Sequence, residues 1–263
     1  MSNKLVIAPE GMRLPVVRTL GASDRELYKE AQQKTAEKFG KGSQAYKTVM
    51  NGINADAGKG SQFFFNTEVG LYLPEGQRVA SLDDWDAILS QDPSFLRGNY
   101  TDLPTLVLRS EQPTYDANAS IIQDIAKQAK DRKLTFSPEN PLRINNGSLV
   151  RDNNSKNPYG LLVKLSENPE DTTNDPRFAY GTKTIKLGNQ SRKLWTKEKG
   201  LSWVFLGRNG NVGSDSDYLQ GSGDYGRVVV FDAEGVAFED FITQEVTPFQ
   251  EKIAGIKKIL GKA

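Results

Sequence analysis

From Gly207 to Tyr225 the chain reads GRNGNVGSDSDYLQGSGDY, and the runs on either side of it, Leu201 to Leu206 and Val228 to Phe231, have the composition of buried β-structure. This juxtaposition constrains the fold more than any other feature. Two core segments must be joined by a polar connection, and such a connection belongs on the surface, where water satisfies its backbone. Only Arg208, Val212, Leu219 and Gln220 depart from an alphabet of Gly, Asn, Ser, Asp and Tyr. Contact surfaces that must adapt to many ligands favour that alphabet. Tyr gives a large amphipathic contact at small entropic cost, and Ser, Gly and Asn give adaptable hydrogen bonds. The plain alternative is a surface loop.

Composition narrows the chemistry. With 263 residues the chain is long enough to bury a sizeable core as one large domain or two small ones. The 34 Lys and Arg against 33 Asp and Glu leave a net charge of +1, so no global field draws the chain to nucleic acid or to a membrane surface. Cysteine is absent, which removes disulfides, thiolate nucleophiles and Cys-based metal sites. Histidine is absent too, which removes Ser-His-Asp, Cys-His and HExxH chemistry. The opening MSNKLVIAPEG is too short in apolar residues for a signal peptide, and no run approaches the ~20 apolar residues of a membrane span. The expected setting is cytoplasmic, or display on a virion or cell surface.

Along the chain, residues 4–7 suggest an edge strand, and Ser23 with Glu26 suggests a capping box. The helix so opened carries Leu27, Ala31, Thr35 and Phe39 and ends at Gly40. A second helix is predicted over 43–53. The segment GKGSQ occurs at 40–44 and again at 58–62, too short to be a structural repeat. Phe63 to Leu73 has strand composition, Pro74 to Gly76 breaks it, and Ser81 caps a helix carrying Leu82, Trp85, Ile88 and Leu89. Leu103 to Leu108 reads as a strand. Asp116 or Asn118 then opens a helix with Ile121, Ile122, Ile125, Ala126 and Ala129 on one face. After Pro138 the pattern is β with long polar loops, strands falling at 142–144, 159–165 and 182–187. Residues 238–263 return to an amphipathic helix.

Candidate chemistry is sparse. Lys59 is followed by Gly60 where a phosphate loop needs Ser or Thr. Asn209, Asn211, Asp215 and Asp217 offer oxygen ligands, but the calcium-loop spacing with its terminal Glu is missing. Asp83, Asp84 and Asp86 suit a helix N-terminus, and Lys127, Lys130, Arg132 and Lys133 suit a helix C-terminus. Arg192, Lys193, Trp195 and Lys197 form a basic-aromatic run of the kind that contacts single-stranded nucleic acid, which gives the alternative reading of a nucleic-acid-binding accessory protein. No carboxylate pair stands out for hydrolysis, and no cofactor is expected.

Two segments together carry a resemblance. Gly76 to Leu89, GQRVASLDDWDAIL, resembles the strand-to-helix entry of C-type-lectin folds of the formylglycine-generating-enzyme type, with Arg78-Val-Ala-Ser81 before a Trp-bearing helix. Gly200 to Phe231 is similar to the variable segments of proteins diversified by retroelements, in which a reverse transcriptase rewrites template adenines. Changing the first two bases of an AAC or AAT codon yields Asn, Asp, Ser, Gly and Tyr, whereas Gln220 cannot arise so and should be fixed. The resemblance implies an α+β, C-type-lectin-like fold with a small twisted antiparallel sheet and flanking helices. It divides the chain into an N-terminal helical segment (1–58), a ligand-binding domain (59–231) and a C-terminal helical extension (232–263). It also implies a non-enzymatic binder of a protein or glycan ligand, without metal, the oligomeric state open. The implied variable positions are Asn209, Gly210, Asn211, Gly213, Ser214, Asp215, Ser216, Asp217, Tyr218, Gly221, Gly223, Asp224 and Tyr225, with Trp203, Phe205 and Gly207 as further candidates. Arg227 and Val228 to Val230 are scaffold, and Tyr218 and Tyr225 the aromatic anchors.

Overall fold

Three runs of this chain are apolar at nearly every position, which is the signature of strands enclosed on both faces. A computed structural model, describing residues 13–20 and 24–237, shows why. Along the chain the strands are β1 (Arg13–Thr19), β2 (Gln77–Val79), β3 (Thr101–Leu108), β4 (Leu142–Asn145), β5 (Ser148–Arg151) and β6 (Leu161–Lys164). They continue with β7 (Thr172–Asn174), β8 (Lys183–Leu187), β9 (Gln190–Thr196), β10 (Leu201–Leu206), β11 (Val212–Ser214) and β12 (Val229–Ala237). The helices are α1 (Arg25–Phe39), α2 (Gln44–Val49), α3 (Phe63–Gly70), α4 (Leu82–Gln91) and α5 (Ala119–Asp131). The fold is mixed α+β: a curled seven-stranded sheet in the order β7-β4-β3-β10-β11-β9-β8, a three-stranded sheet β1-β12-β2, and the hairpin β5-β6. All pairings are antiparallel except that of β11 with β9.

Two cores lie on opposite faces of these strands. Leu106 and Leu108 of β3, Leu201 and Trp203 of β10, and Val228 and Val230 beside or within β12 join one core with α1, α2, α3 and α5. Their neighbours Leu103, Val107, Val204, Leu206 and Val229 join the other, with α4, Phe178, Leu187, Leu194 and Val212. Successive side chains of a strand point to opposite faces, so each of these strands feeds both cores. Tyr28, Phe39 and Val49 share the first core with Ile121 and Leu201, so the N-terminal helical segment is continuous with the rest of the fold.

The residues 63–73 expected as a strand instead contain α3. Phe63, Phe64, Phe65 and Val69 are all buried, so no polar face remains to mark a helical period. The helix is fixed by Gln62, whose side-chain oxygen accepts from the Phe64 N–H at 2.7 Å while its amide donates to the carbonyls of Thr48 (2.9 Å) and Val49 (2.6 Å). One side chain thus satisfies the start of α3 and the end of α2. The predicted second helix stops at Val49, after a start capped by Ser43 as expected. Ser81 and Asp84 form the capping box of α4, with Arg78 bound to the Asp84 carboxylate. Asn118 precedes α5 without capping it, because its amide and carbonyl are engaged elsewhere. Residues 232–237, placed in a helical extension by the sequence, continue β12 and pair with β1. The predicted strand at 4–7, the Ser23 cap and the helix at 238–263 lie outside the described residues.

Candidate functional site

The polar segment begins where β10 leaves the sheet. After Leu206 the chain turns at once: the Gly207 N–H donates to the Asn211 carbonyl at 2.8 Å and the Gly210 N–H to the Gly207 carbonyl at 2.8 Å. Gly210 has φ 77°, and a Cβ there would lie 1.9 Å from Nη1 of Arg192, which donates to the Gly210 carbonyl at 2.8 Å. The left-handed backbone favours glycine, and any side chain here would have to push the Arg192 guanidinium aside. β11 then returns beside β10, with Gly213 against the Phe205 ring, where a Cβ would lie 2.1 Å from the ring edge.

The next residues are tied to the body of the protein. Asp217 accepts from the Thr114 hydroxyl at 3.0 Å and pairs with the Lys197 ammonium, and its carbonyl accepts from the Asn118 amide at 2.8 Å. Burial opposes ionisation of Asp217, but Lys197 and Thr114 outweigh it and hold the carboxyl below its ordinary value. Leu219 is fully buried in the first core. The Gln220 carbonyl accepts from the Asn51 amide at 2.6 Å, and the Ser222 hydroxyl donates to the Gly52 carbonyl and accepts from the Ser61 N–H, each at 3.1 Å. Tyr100 closes the segment. Its hydroxyl accepts from the Gly223 N–H at 2.7 Å, and its backbone bonds Tyr225 and Arg227 at 3.1 and 2.9 Å.

The side chains of this clamped backbone that reach solvent are those of Arg208, Asn209, Asp215, Tyr218, Asp224 and Tyr225. Tyr218 is 44% exposed and meets Tyr115 edge-on at 5.9 Å, while Tyr225 is 54% exposed under the Arg208 guanidinium at 4.1 Å. Gly207, Asn211, Ser216, Gly221 and Gly223 are half-buried, as is Phe205. Gly221 and Gly223 have no backbone obstacle nearer than 3.3 Å to an added Cβ.

Trp203, Gly213 and Ser214 are placed differently from what the resemblance implies. Trp203 is 7% exposed and its indole N–H donates to Oδ1 of Asp102 at 2.6 Å. Ser214 is buried beneath Arg109, which donates to Ser214, to Ser202 and to the Phe178 carbonyl at 3.0, 2.8 and 3.0 Å. Burial pushes the Arg109 guanidinium down to about 10. These positions support the sheet from inside. The reason is strand alternation and the narrow space between β10 and β11, neither visible in an alphabet count.

The basic run on β9 divides likewise. Arg192 is buried, bonding the carbonyls of Leu187, Gly210 and Pro93 and the Gln190 side chain, Lys197 is engaged by Asp217, Trp195 is half-buried, and Lys193 is exposed. Asn209 and Asn211 shape the turn, Asn209 Oδ1 accepting from the Asn211 N–H at 3.1 Å. Among the described residues no three acidic side chains come together as a metal site, and no helix is long and apolar enough to cross a membrane. Sequence reasoning missed Tyr100, Tyr115, Asn118 and the connector 51–61, because each meets the segment across a long sequence separation. A cleft of about 540 Å³ opens between the Gly207–Gly210 turn and the Pro93–Arg97 loop. No protein-family model, curated protein or solved structure matches the chain.

Proposed function

We propose that this is a ligand-binding protein whose contact surface is the segment Gly207 to Tyr225, carried on a C-type-lectin-like fold and diversified by a retroelement. One observation carries the reading: the backbone of the segment is held by residues outside it, Asn51, Tyr100, Asn118 and Arg192, while two tyrosines stand exposed upon it. A surface built so changes its side chains without losing its shape, and rigid aromatic anchors beside adaptable polar groups suit protein or glycan ligands. The three-stranded sheet holding Val229 to Phe231 at the end of the segment supports the fold reading.

The geometry supports variation at some of these positions more than at others. Asn209, Asp215, Ser216, Tyr218, Gly223, Asp224 and Tyr225 have room to change, whereas Trp203, Gly210, Ser214 and Asp217 are held. Sequencing the DNA around the gene tests this: a reverse-transcriptase gene and an imperfect repeat differing at adenines in the first set of codons are expected. Adenine differences concentrated in the codons for Trp203, Gly210 and Ser214, or no such repeat, would reject the reading. On the protein, Tyr218→Ala with Tyr225→Ala is expected to leave the thermal midpoint within about 2 °C and to abolish capture of the ligand.

A further inference from the structure

We propose that the cleft between the Pro93–Arg97 loop and the Gly207–Gly210 turn binds the oxyanion of an acidic sugar, a carboxylate or a phosphate carried on a sugar-sized body. Three arginines line it, Arg97, Arg192 and Arg208, and among the described residues none has a carboxylate within ion-pairing distance. Arg97 is exposed and makes no side-chain hydrogen bond. Arg208 uses Nε on the Gly98 carbonyl at 2.9 Å and its ring-facing surface on Tyr225, which leaves its terminal nitrogens unengaged. Arg192 lies beneath, its donors engaged by neutral acceptors, so it supplies fixed charge. The nearby Asp92 carboxylate accepts from the Ser94 N–H and hydroxyl at 2.9 and 2.7 Å, and is turned to its own loop.

Guanidinium groups with free donors match the planar fork of carboxylate and the oxygens of phosphate. A volume of about 540 Å³ falls in the range of small-ligand sites rather than protein interfaces. Pro93, Phe95 and Leu96 give the cleft an apolar wall on which a sugar ring can lie. The inference goes beyond the variable surface: the three arginines stand outside the proposed varying positions, although Asn209 borders the cleft and Tyr225 carries the Arg208 guanidinium.

The test is calorimetric titration of the full chain at low salt with glucuronate, glucose 6-phosphate, inorganic phosphate and glucose. Saturable binding of one or both sugar acids, at least about tenfold tighter than glucose and weakened by salt, is expected. Glucuronate above glucose 6-phosphate would assign the carboxylate, and the reverse order the phosphate. Arg97→Gln is expected to weaken binding about tenfold with the fold intact, and Arg208→Gln to do the same. Tyr218→Ala is expected to leave it unchanged, which separates this site from the variable surface. No saturable binding by either sugar acid, equal binding by Arg97→Gln, inorganic phosphate binding as well as the sugar acids, or a short oligonucleotide binding more tightly than they do would overturn the proposal.

Discussion

Asp102 stands at the junction of β3, β10 and α3, 2% exposed, with Trp203 donating to one carboxylate oxygen and Ser61 accepting from its backbone N–H at 2.9 Å. Its second oxygen has no partner, and burial pushes its carboxyl up to about 7 against the opposing bonds from Trp203 and Ser61. The folded protein therefore holds this proton more tightly than the unfolded chain, whose ordinary value is 3.8. The stability it contributes is full below about pH 4 and is lost as pH rises through about 7, by at most about 4 kcal/mol. Asp175 and Asp217, whose carboxyls are held low, act in the opposite sense and lose their contribution as pH falls. Asp102→Asn keeps an acceptor for Trp203 and cannot titrate. Urea unfolding of both proteins from pH 4 to 8 isolates the group, because the shared carboxylates cancel in the difference; the gap should shift in favour of the variant as pH rises. Gly210 gives the second prediction at this scale. Gly210→Ala combines a left-handed backbone with a collision against Arg192 and is expected to cost about 2–3 kcal/mol, while Asn209→Ala beside it stays within about 0.5 kcal/mol.

At the scale of elements, Gln62 joins two helices that share no other cap. Gln62→Ala leaves the Phe64 N–H and the Val49 carbonyl without their partner in a buried place, while the Thr48 carbonyl keeps the Asn51 N–H, and is expected to cost about 2–3 kcal/mol in urea unfolding. Gln62→Glu, which turns an acceptor toward those carbonyls, should be worse still. This element also marks where the sequence was legible and where it was not. Ser43, Ser81 and the apolar stripe of α5 announce their helices through local chemistry, and each helix begins where its residues said, although α2 ends at Val49, short of the expected 53. Phe63 to Val69 carry no such message, because a helix enclosed on all sides has the composition of a buried strand. The polar segment was legible as a surface, but its division into fixed and free residues was not. Gly210 and Gly213 look like freely varying members of an alphabet until Arg192 and Phe205 arrive from elsewhere in the chain.

For the whole molecule, the strands separate two cores of buried side chains. Val229 faces one core and Val230 the other. Each change to Ala is expected to cost about 1–3 kcal/mol, and the double variant should lose the sum to within about 0.5 kcal/mol although the two residues are covalent neighbours. Strong coupling in that cycle would mean that the cores are one. The pairing of β1 with β12 sets Arg13 opposite Ala237, while Thr19 faces Val229 at the far end, next to the polar segment. Antiparallel strands held in this way respond to force by direction. Tension applied between the two outer ends loads the ladder one rung at a time and peels β1 away like a zipper, at low force, whereas tension entering through the segment loads the strand lengthwise and meets many rungs together.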